Sequence, residues 1–389
     1  MEAGAPGGRG KGPQCVHVQM MSGSVLSVAR PTGGTAGELR LAVSEQLGVP
    51  VTQVKLVAGT SPLRDEQHLA ALGGTQLQVA VTTAPLLLVL CGGGDTMGGR
   101  ALQTVEAFSL ETDRWHTLPP MLEARVGAAA ATVHGCIYVV GGHDTLGASL
   151  CSAECYSLVS ERWEPLPPMA EHRTFPAAAV LDGRLYVCGG RGDSSLGLNS
   201  CECFDPADGA WHSVPPMVER RFGCTAAVLG GCLCVCGGED DGIDAFAWDG
   251  GDGAGGGLSS VERFDPAAGH WESLPRMIRP RLLASAAAID GQLYVCGGEE
   301  HVGHVLSAVE RFDPAAAKWQ ELPLMGERRV GAVAVNLGGV LYVCGGRNDG
   351  ARALGTAESF DPSVSRWRAV PRLSARRFGA AATVVGGRG

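Results

Sequence analysis

Between Arg173 and Arg221 the apolar positions fall into short alternating runs cut by turn residues. Two runs meet at Asp182-Gly183, a dipeptide that favours a tight hairpin. Gly189-Gly190 ends the second run, Asp205-Pro206 ends a third, and Trp211 marks a fourth. The pattern predicts four short strands in one compact unit. It recurs along the chain: Trp115, Trp163, Trp211, Trp271, Trp319 and Trp367 are spaced by 48, 48, 60, 48 and 48 residues. Glycine pairs begin at Gly92, Gly141, Gly189, Gly237, Gly297 and Gly345. A glutamate precedes each tryptophan at a fixed distance (Glu106, Glu154, Glu202, Glu262, Glu310, Glu358). An arginine follows each at a fixed distance (Arg125, Arg173, Arg221, Arg281, Arg329, Arg377). Self-similarity at this period points to a repeat architecture.

The unit G-x-L-Y-V-C-G-G…V-E-x-F-D-P…W-x-x-L-P-x-M…R resembles the Kelch repeat, over residues 85–389. The resemblance implies a mainly β fold, a propeller with one four-stranded blade per repeat. Residues 86–91 read as a second strand with no first before them. Arg376 to Val385 reads as a first strand with no second after it. The two deficits complement each other, so the C-terminal strand is expected to complete the N-terminal blade and close a ring of six. Closure removes open sheet edges that would template aggregation.

Ahead of the repeats, residues 1–13 are Gly-rich and read as a disordered tail, and residues 14–82 form a separate unit. Val16–Met20 and Val25–Ala29 alternate as strands. Thr35 with Glu38 forms a capping box ahead of Leu39, Val43 and Leu47 at helical spacing, and Gly48 ends that helix. Val54–Ala58 and Gln76–Val81 are further strands. This β-β-α-β-β order, with Leu63 to Leu72 before the last strand, resembles the ubiquitin-like fold, a small α+β unit. The resemblance implies an integral domain, since Val81 runs on into Pro85 without a free Gly-Gly tail.

Composition adds limits. The chain is 45% hydrophobic and 18% charged, enough to bury a large core. A net charge of −9 argues against a nucleic-acid partner, which usually meets a basic face. Leu86–Leu90 is too short to span a bilayer, and no signal peptide is apparent. Of the 14 cysteines, Cys91, Cys188, Cys236, Cys296 and Cys344 share one repeat position that Val140 fills elsewhere, so the slot reads as apolar packing. Free thiols in that number suggest a reducing, cytoplasmic compartment. No cofactor and no metal is assigned.

Candidate sites follow from strand direction. The Glu and Arg series fall at one end of the disc. Charges in so apolar a setting are expected to pair, for example Glu154 with Arg173, in a structural ring. The loops after each glycine pair and after each Pro-x-Met vary between copies and share that end. Variable loops on a rigid scaffold are where recognition sits. Candidate partner contacts are His143, Asp144, His172, Arg191, Asp193, Arg220, His301, His304, Arg328, Arg347, Asn348, Asp349 and Arg376. The fourth glycine pair opens an acidic insertion from Glu239 to Gly257 that holds Asp240, Asp241, Asp244 and Trp248. Acidic groups beside an aromatic ring suit a basic peptide.

The expectation is a non-catalytic module that binds a protein or peptide partner on the loop face. The Kelch resemblance implies substrate-adaptor roles, and the ubiquitin-like resemblance implies ubiquitin-pathway partners. Two alternatives stand beside it: an actin-binding cytoskeletal scaffold, and an enzyme of the metal-oxidase or sugar-epimerase kind acting at the propeller mouth. No catalytic residue is assigned, because no nucleophile–base or phosphate-loop motif is present.

Overall fold

In the first 85 residues, the computed structural model describes Cys15–Met20, Val25–Ala29, Val54–Ala58, Ser61–Pro62, Leu77–Val81 and residues 35–36, 38–39 and 42–43. Beyond them it describes 86–95, 100–193, 196–240, 256–301, 303–350 and 352–386. The chain divides into two compact units, the first Met1–Pro85 and the second Leu86–Val385. The tail at 1–13, the segment at 63–72, and Asp241, Asp244 and Trp248 of the acidic insertion lie outside the described residues.

In the first unit, β1 (Cys15–Met20), β2 (Val25–Ala29), β3 (Val54–Ala58), β4 (Ser61–Pro62) and β5 (Leu77–Val81) form one mixed sheet in the order β2-β1-β5-β3-β4. β1 runs parallel to β5 at the centre, and the other pairs are antiparallel. Described residues between 36 and 43 are helical. The Thr35 hydroxyl accepts from the Glu38 amide, and the Glu38 carboxylate accepts from the Thr35 amide, both at 3.3 Å. That reciprocal pair starts the helix by satisfying two of its orphan donors. Ala36, Leu39 and Val43 are buried, one apolar face at helical spacing.

The second unit is a propeller of six four-stranded antiparallel sheets among the described residues. Blade I joins the C-terminal strand Ala381–Gly386 to Leu86–Cys91, Val105–Ser109 and Arg114–Leu118. Blades II to VI begin at Ala129, Ala177, Thr225, Ser285 and Val330 and run in simple chain order. The last strand therefore closes the ring. The hairpins between first and second strands turn at His134-Gly135, Asp182-Gly183 and Asp290-Gly291, whose non-glycine members sit at φ near +50°.

The first strands of neighbouring blades touch one another and so lie nearest the axis. The core is six separate layers, each between two adjacent blades. The layer between blades VI and I sets Tyr342 and Cys344 against Leu88, Leu90 and Phe108. The cysteine slot is packing: Cys91, Cys296 and Cys344 are 1–2% exposed, and burial pushes each thiol up to about 12. Among the described residues the cysteines are free thiols, and no helix is long and apolar enough to cross a membrane.

Candidate interaction face

Each blade is joined to the next by the same polar joint. Arg125 pairs with Glu154, Arg173 with Glu202, Arg221 with Glu262, Arg281 with Glu310, Arg329 with Glu358 and Arg377 with Glu106, at 2.7–3.0 Å. The pairing is offset by one blade from the expected match of Glu154 with Arg173. The linker arginine reaches forward, into the blade it leads to, because that blade's glycine pair turns a carbonyl toward it. Arg125 Nη1 donates to Gly141 O at 2.9 Å and to Ser152 O at 3.0 Å. The other oxygen of Glu154 accepts from the Leu122 amide, in the segment leaving blade I, at 2.7 Å. One glutamate thus holds two points of the linker that enters its blade. Gly141 cannot be replaced, since a Cβ there would lie 2.5 Å from Arg173 O.

A second ring lies beside the first. Each tryptophan indole donates to the proline carbonyl that ends the preceding blade, from Trp163 to Pro119 around to Trp115 to Pro371, at 2.7–2.9 Å. The arginines of the first ring are 0–2% exposed and so are unavailable to a partner.

The residue just after each ring arginine bridges to the residue just after each glycine pair: Val126 to His143, Thr174 to Arg191, Phe222 to Glu239, Leu282 to Glu299, Val330 to Arg347 and Phe378 to Gly94. Gly94, His143, Arg191, Glu239, Glu299 and Arg347 therefore occupy one equivalent position around the axis and form an inner rim. Going round, two acids stand side by side with an arginine on each flank. Sequence reading finds His143, Arg191 and Arg347 but leaves Glu239 to the insertion and misses Glu299. The signal was the position itself, one residue past every glycine pair.

Beneath the rim the axis is stoppered. Gly127, Phe175, Gly223, Leu283, Gly331 and Gly379 each donate a backbone N–H to the carbonyl of the preceding member, closing a six-membered circle at 2.7–3.1 Å. All six have φ between +51° and +65°, including the bulky Phe175 and Leu283. Left-handed backbone at such residues is strained and persists only where the surroundings fix it. Here the compensation is aromatic. Phe175 meets Phe222 edge-on at 5.7 Å and Phe378 at 6.1 Å, over a floor that includes Val126 and Val330. Arg191 lies over the Phe222 ring at 5.3 Å, and His143 faces Phe175 at 6.4 Å, so the rim rests on this floor.

The other candidates differ in what surrounds them. Arg347 is only 3% exposed; burial lowers its pKa, while Glu299 and Asp349 act in the opposite sense. Its expected role as an exposed contact is corrected accordingly: it is a wall of the rim, packed where the long second strand of blade VI carries past the glycine pair. Asp144 and Asn348 cap their own loops, Asp144 Oδ1 accepting from the Leu146 and Ala148 amides and Asn348 Oδ1 from the Gly350 amide. The outer residues satisfy one another: His172 pairs with Asp193 at 2.8 Å, Arg328 with Asp349 at 3.2 Å, and Arg220 and Arg376 donate to Gly197 O and Ala353 O. Asp240 is exposed at the root of the insertion. His301 and His304 stand together on blade V, rings stacked at 4.9 Å.

Two cavities bear on the site. Below the backbone circle a space of about 90 Å³ is lined by Gly127, Phe175, Gly223, Leu283, Gly331 and Gly379, among others. At the hairpin end an open cleft of about 520 Å³ lies between blades II and III, walled by turn residues and the Arg184–Asp205 pair at 2.8 Å. The larger cleft carries less chemistry, because its one ion pair is already satisfied and the rest is turn.

Comparison with known proteins agrees with this geometry. Residues 78–278 match the KLHDC2/KLHL20/DRC7 Kelch-repeats domain, and residues 280–326 and 328–374 each match the Kelch motif. No curated protein matches the chain. A solved structure titled "Structure of YjhT" is similar with a TM-score of 0.59 at 15% identity, covering 72% of this chain and 96% of that one. At that identity the likeness shows the fold alone.

Proposed function

Since the chain belongs to the Kelch-repeat family, we propose that its propeller is a non-catalytic interaction module whose inner rim holds a segment of a protein partner. The observation that carries this is a rim of non-repeating chemistry on a repeating frame. Arg191, Glu239, Glu299 and Arg347 sit at one equivalent position, above an aromatic stopper. The ring arginines and glutamates pair in the same way in each joint, whereas the rim position differs from blade to blade. Arg191 is the more open charge of the rim, since Glu239, Glu299 and Arg347 are buried, so the partner segment would offer it an acidic group.

The first unit is read as a ubiquitin-like β-grasp domain that links the propeller's partner to ubiquitin-pathway components. The sheet order β2-β1-β5-β3-β4 with a parallel central pair, and the capped helix, support that reading. Affinity capture on the wild-type chain, on an R191E variant and on a chain lacking residues 1–82 separates the two roles. The charge reversal is expected to lose the propeller's partner while melting like wild type. The deletion is expected to keep that partner and lose ubiquitin-pathway proteins. Capture unchanged by the charge reversal would rule out the rim.

A further inference from the structure

We infer that Glu300, His301 and His304 form a binding site for a divalent transition-metal ion, zinc first. These residues lie on the loop after the glycine pair of blade V, and each brings one ligand atom within 4.8 Å of the others. The backbone makes the cluster. The Glu300 amide donates to His304 O at 3.2 Å and the His304 amide to His301 O at 2.8 Å, around Gly303 at φ +80°. This turn folds position i+4 back over i and i+1. Its base is pinned from outside: His301 bridges to Gly256, and the Gly257 amide donates to Glu300 O at 3.1 Å. The sequence shows only two histidines at loop spacing, and the fold supplies the carboxylate.

The side chains are arranged as ligands more than as hydrogen-bond partners. Nδ1 of His304 lies 3.1 Å from Glu300 Oε2, shielded from solvent, in a geometry that makes no hydrogen bond. The two imidazoles stack at 4.9 Å with planes 28° apart, so the rings lie side by side on the loop. Two imidazoles and a carboxylate are a borderline donor set that suits zinc, with copper and nickel next in chemical kind. A tetrahedral zinc with bonds of about 2.0–2.1 Å wants its ligand atoms about 3.3 Å apart, so ligand atoms that lie within 4.8 Å of one another need draw in by up to about 1.5 Å. Three protein ligands leave a fourth position for water or for a group from a partner.

A departure in the repeat points to the same place. In four joints a glutamate two residues before the ring arginine pairs with it: Glu123, Glu171, Glu219 and Glu327. A hydroxyl accompanies each, as Ser152, Ser200, Ser260 and Thr356 bond those glutamates. At blade V both are replaced, by Arg279 and Ala308. Arg279 turns outward instead, 3.8 Å from Glu300 Oε2 and 3.7 Å from Glu321 Oε1. It is a loosely held cation at the edge of the cluster that a metal ion would displace toward Glu321.

The test is equilibrium dialysis of the untagged full chain against Zn²⁺, with metal analysis and a calorimetric titration. One zinc per chain is expected. His301→Ala and His304→Ala should each weaken binding by about tenfold or more, and Glu300→Gln by less, as loss of one ligand from a three-ligand site implies. Arg279→Ala should tighten it, and His172→Ala, on the neighbouring face, should leave it unchanged. Cobalt substitution excludes the cysteines, since a thiolate site gives an intense charge-transfer band and a nitrogen–oxygen site does not. Absence of binding, binding that survives both histidine variants, or a thiolate band would each overturn the site. Thermal unfolding of each variant, measured without metal, is expected to match wild type and so separates ligand loss from misfolding.

Discussion

Arg328 and Arg329 are neighbours in sequence, and each holds a carboxylate, at 3.2 Å to Asp349 and 2.9 Å to Glu358. Distance does not separate them; water does. The Arg328 pair is 53% exposed on both sides, while the Arg329 side chain is 0% exposed. Arg329 recurs in every blade, with the same glycine carbonyl and glutamate, whereas the position of Arg328 varies, with Ala124, His172, Arg220, Pro280 and Arg376 in the other copies. The joint and the face thus lie one residue apart. Identity across the copies marks the frame, because every joint solves the same packing problem. Variation marks the surface free to meet a partner.

Removing the closure should have the largest effect. Deleting residues 381–386 strips the first strand from blade I and leaves Leu86–Cys91 as an open apolar edge. Such edges pair with other chains. The truncated chain is expected to aggregate on size-exclusion chromatography, while the full chain stays in one peak.

Breaking one joint comes next. Arg221→Ala leaves Glu262 buried at 2% exposure with its charge uncompensated. A buried pair broken on one side costs about 3–5 kcal/mol, roughly 6–15 °C of melting temperature for a unit of this size. Replacing both partners with apolar groups should cost less, because the pair itself is nearly balanced by the desolvation of its charges. Calorimetry on the single and double variants tests that ordering.

Alkaline pH probes the frame without mutation. Burial raises the thiol pKa of Cys91, Cys296 and Cys344 to about 12 in the folded chain. An acid whose folded pKa is raised binds its proton more tightly in the folded state. Its contribution is therefore intact below the unfolded pKa and is lost as pH climbs from there toward 12. One unit above the ordinary thiol value each should cost about 1.4 kcal/mol. Denaturant midpoints between pH 8 and 10 should fall, and Cys344→Val should flatten the fall without changing the blade.

The repeat made the frame legible in the sequence. Period, blade count and the closing strand all follow from counting tryptophans and glycine pairs, because each copy tests the others. The partner of each arginine was not legible. Glu154 lies at the same end of the disc as both Arg125 and Arg173, and only the direction of the Gly141 carbonyl decides between them. The backbone circle under the rim was hidden for a different reason. Phe175 and Leu283 stand where four other blades carry glycine, and a lone sequence gives no hint that a large side chain holds φ near +51°. Glu300 escaped notice because it joins the histidines only when the turn at Gly303 folds back.

The smallest predicted effect is the one that keeps the opening comparison honest. Arg328→Ala removes a guanidinium from a pair only slightly longer than those of the joint ring, 3.2 Å against 2.7–3.0 Å, and the same change at Arg329 removes one from the joint itself. Exposed pairs gain about 0–1 kcal/mol, since water screens them and two long side chains must be ordered. Arg328→Ala should therefore shift the melting temperature by no more than about 3 °C, and added salt should erase most of that. Arg329→Ala should shift it several times as far and respond little to salt. If the two substitutions proved equally costly, exposure would not be what divides frame from face.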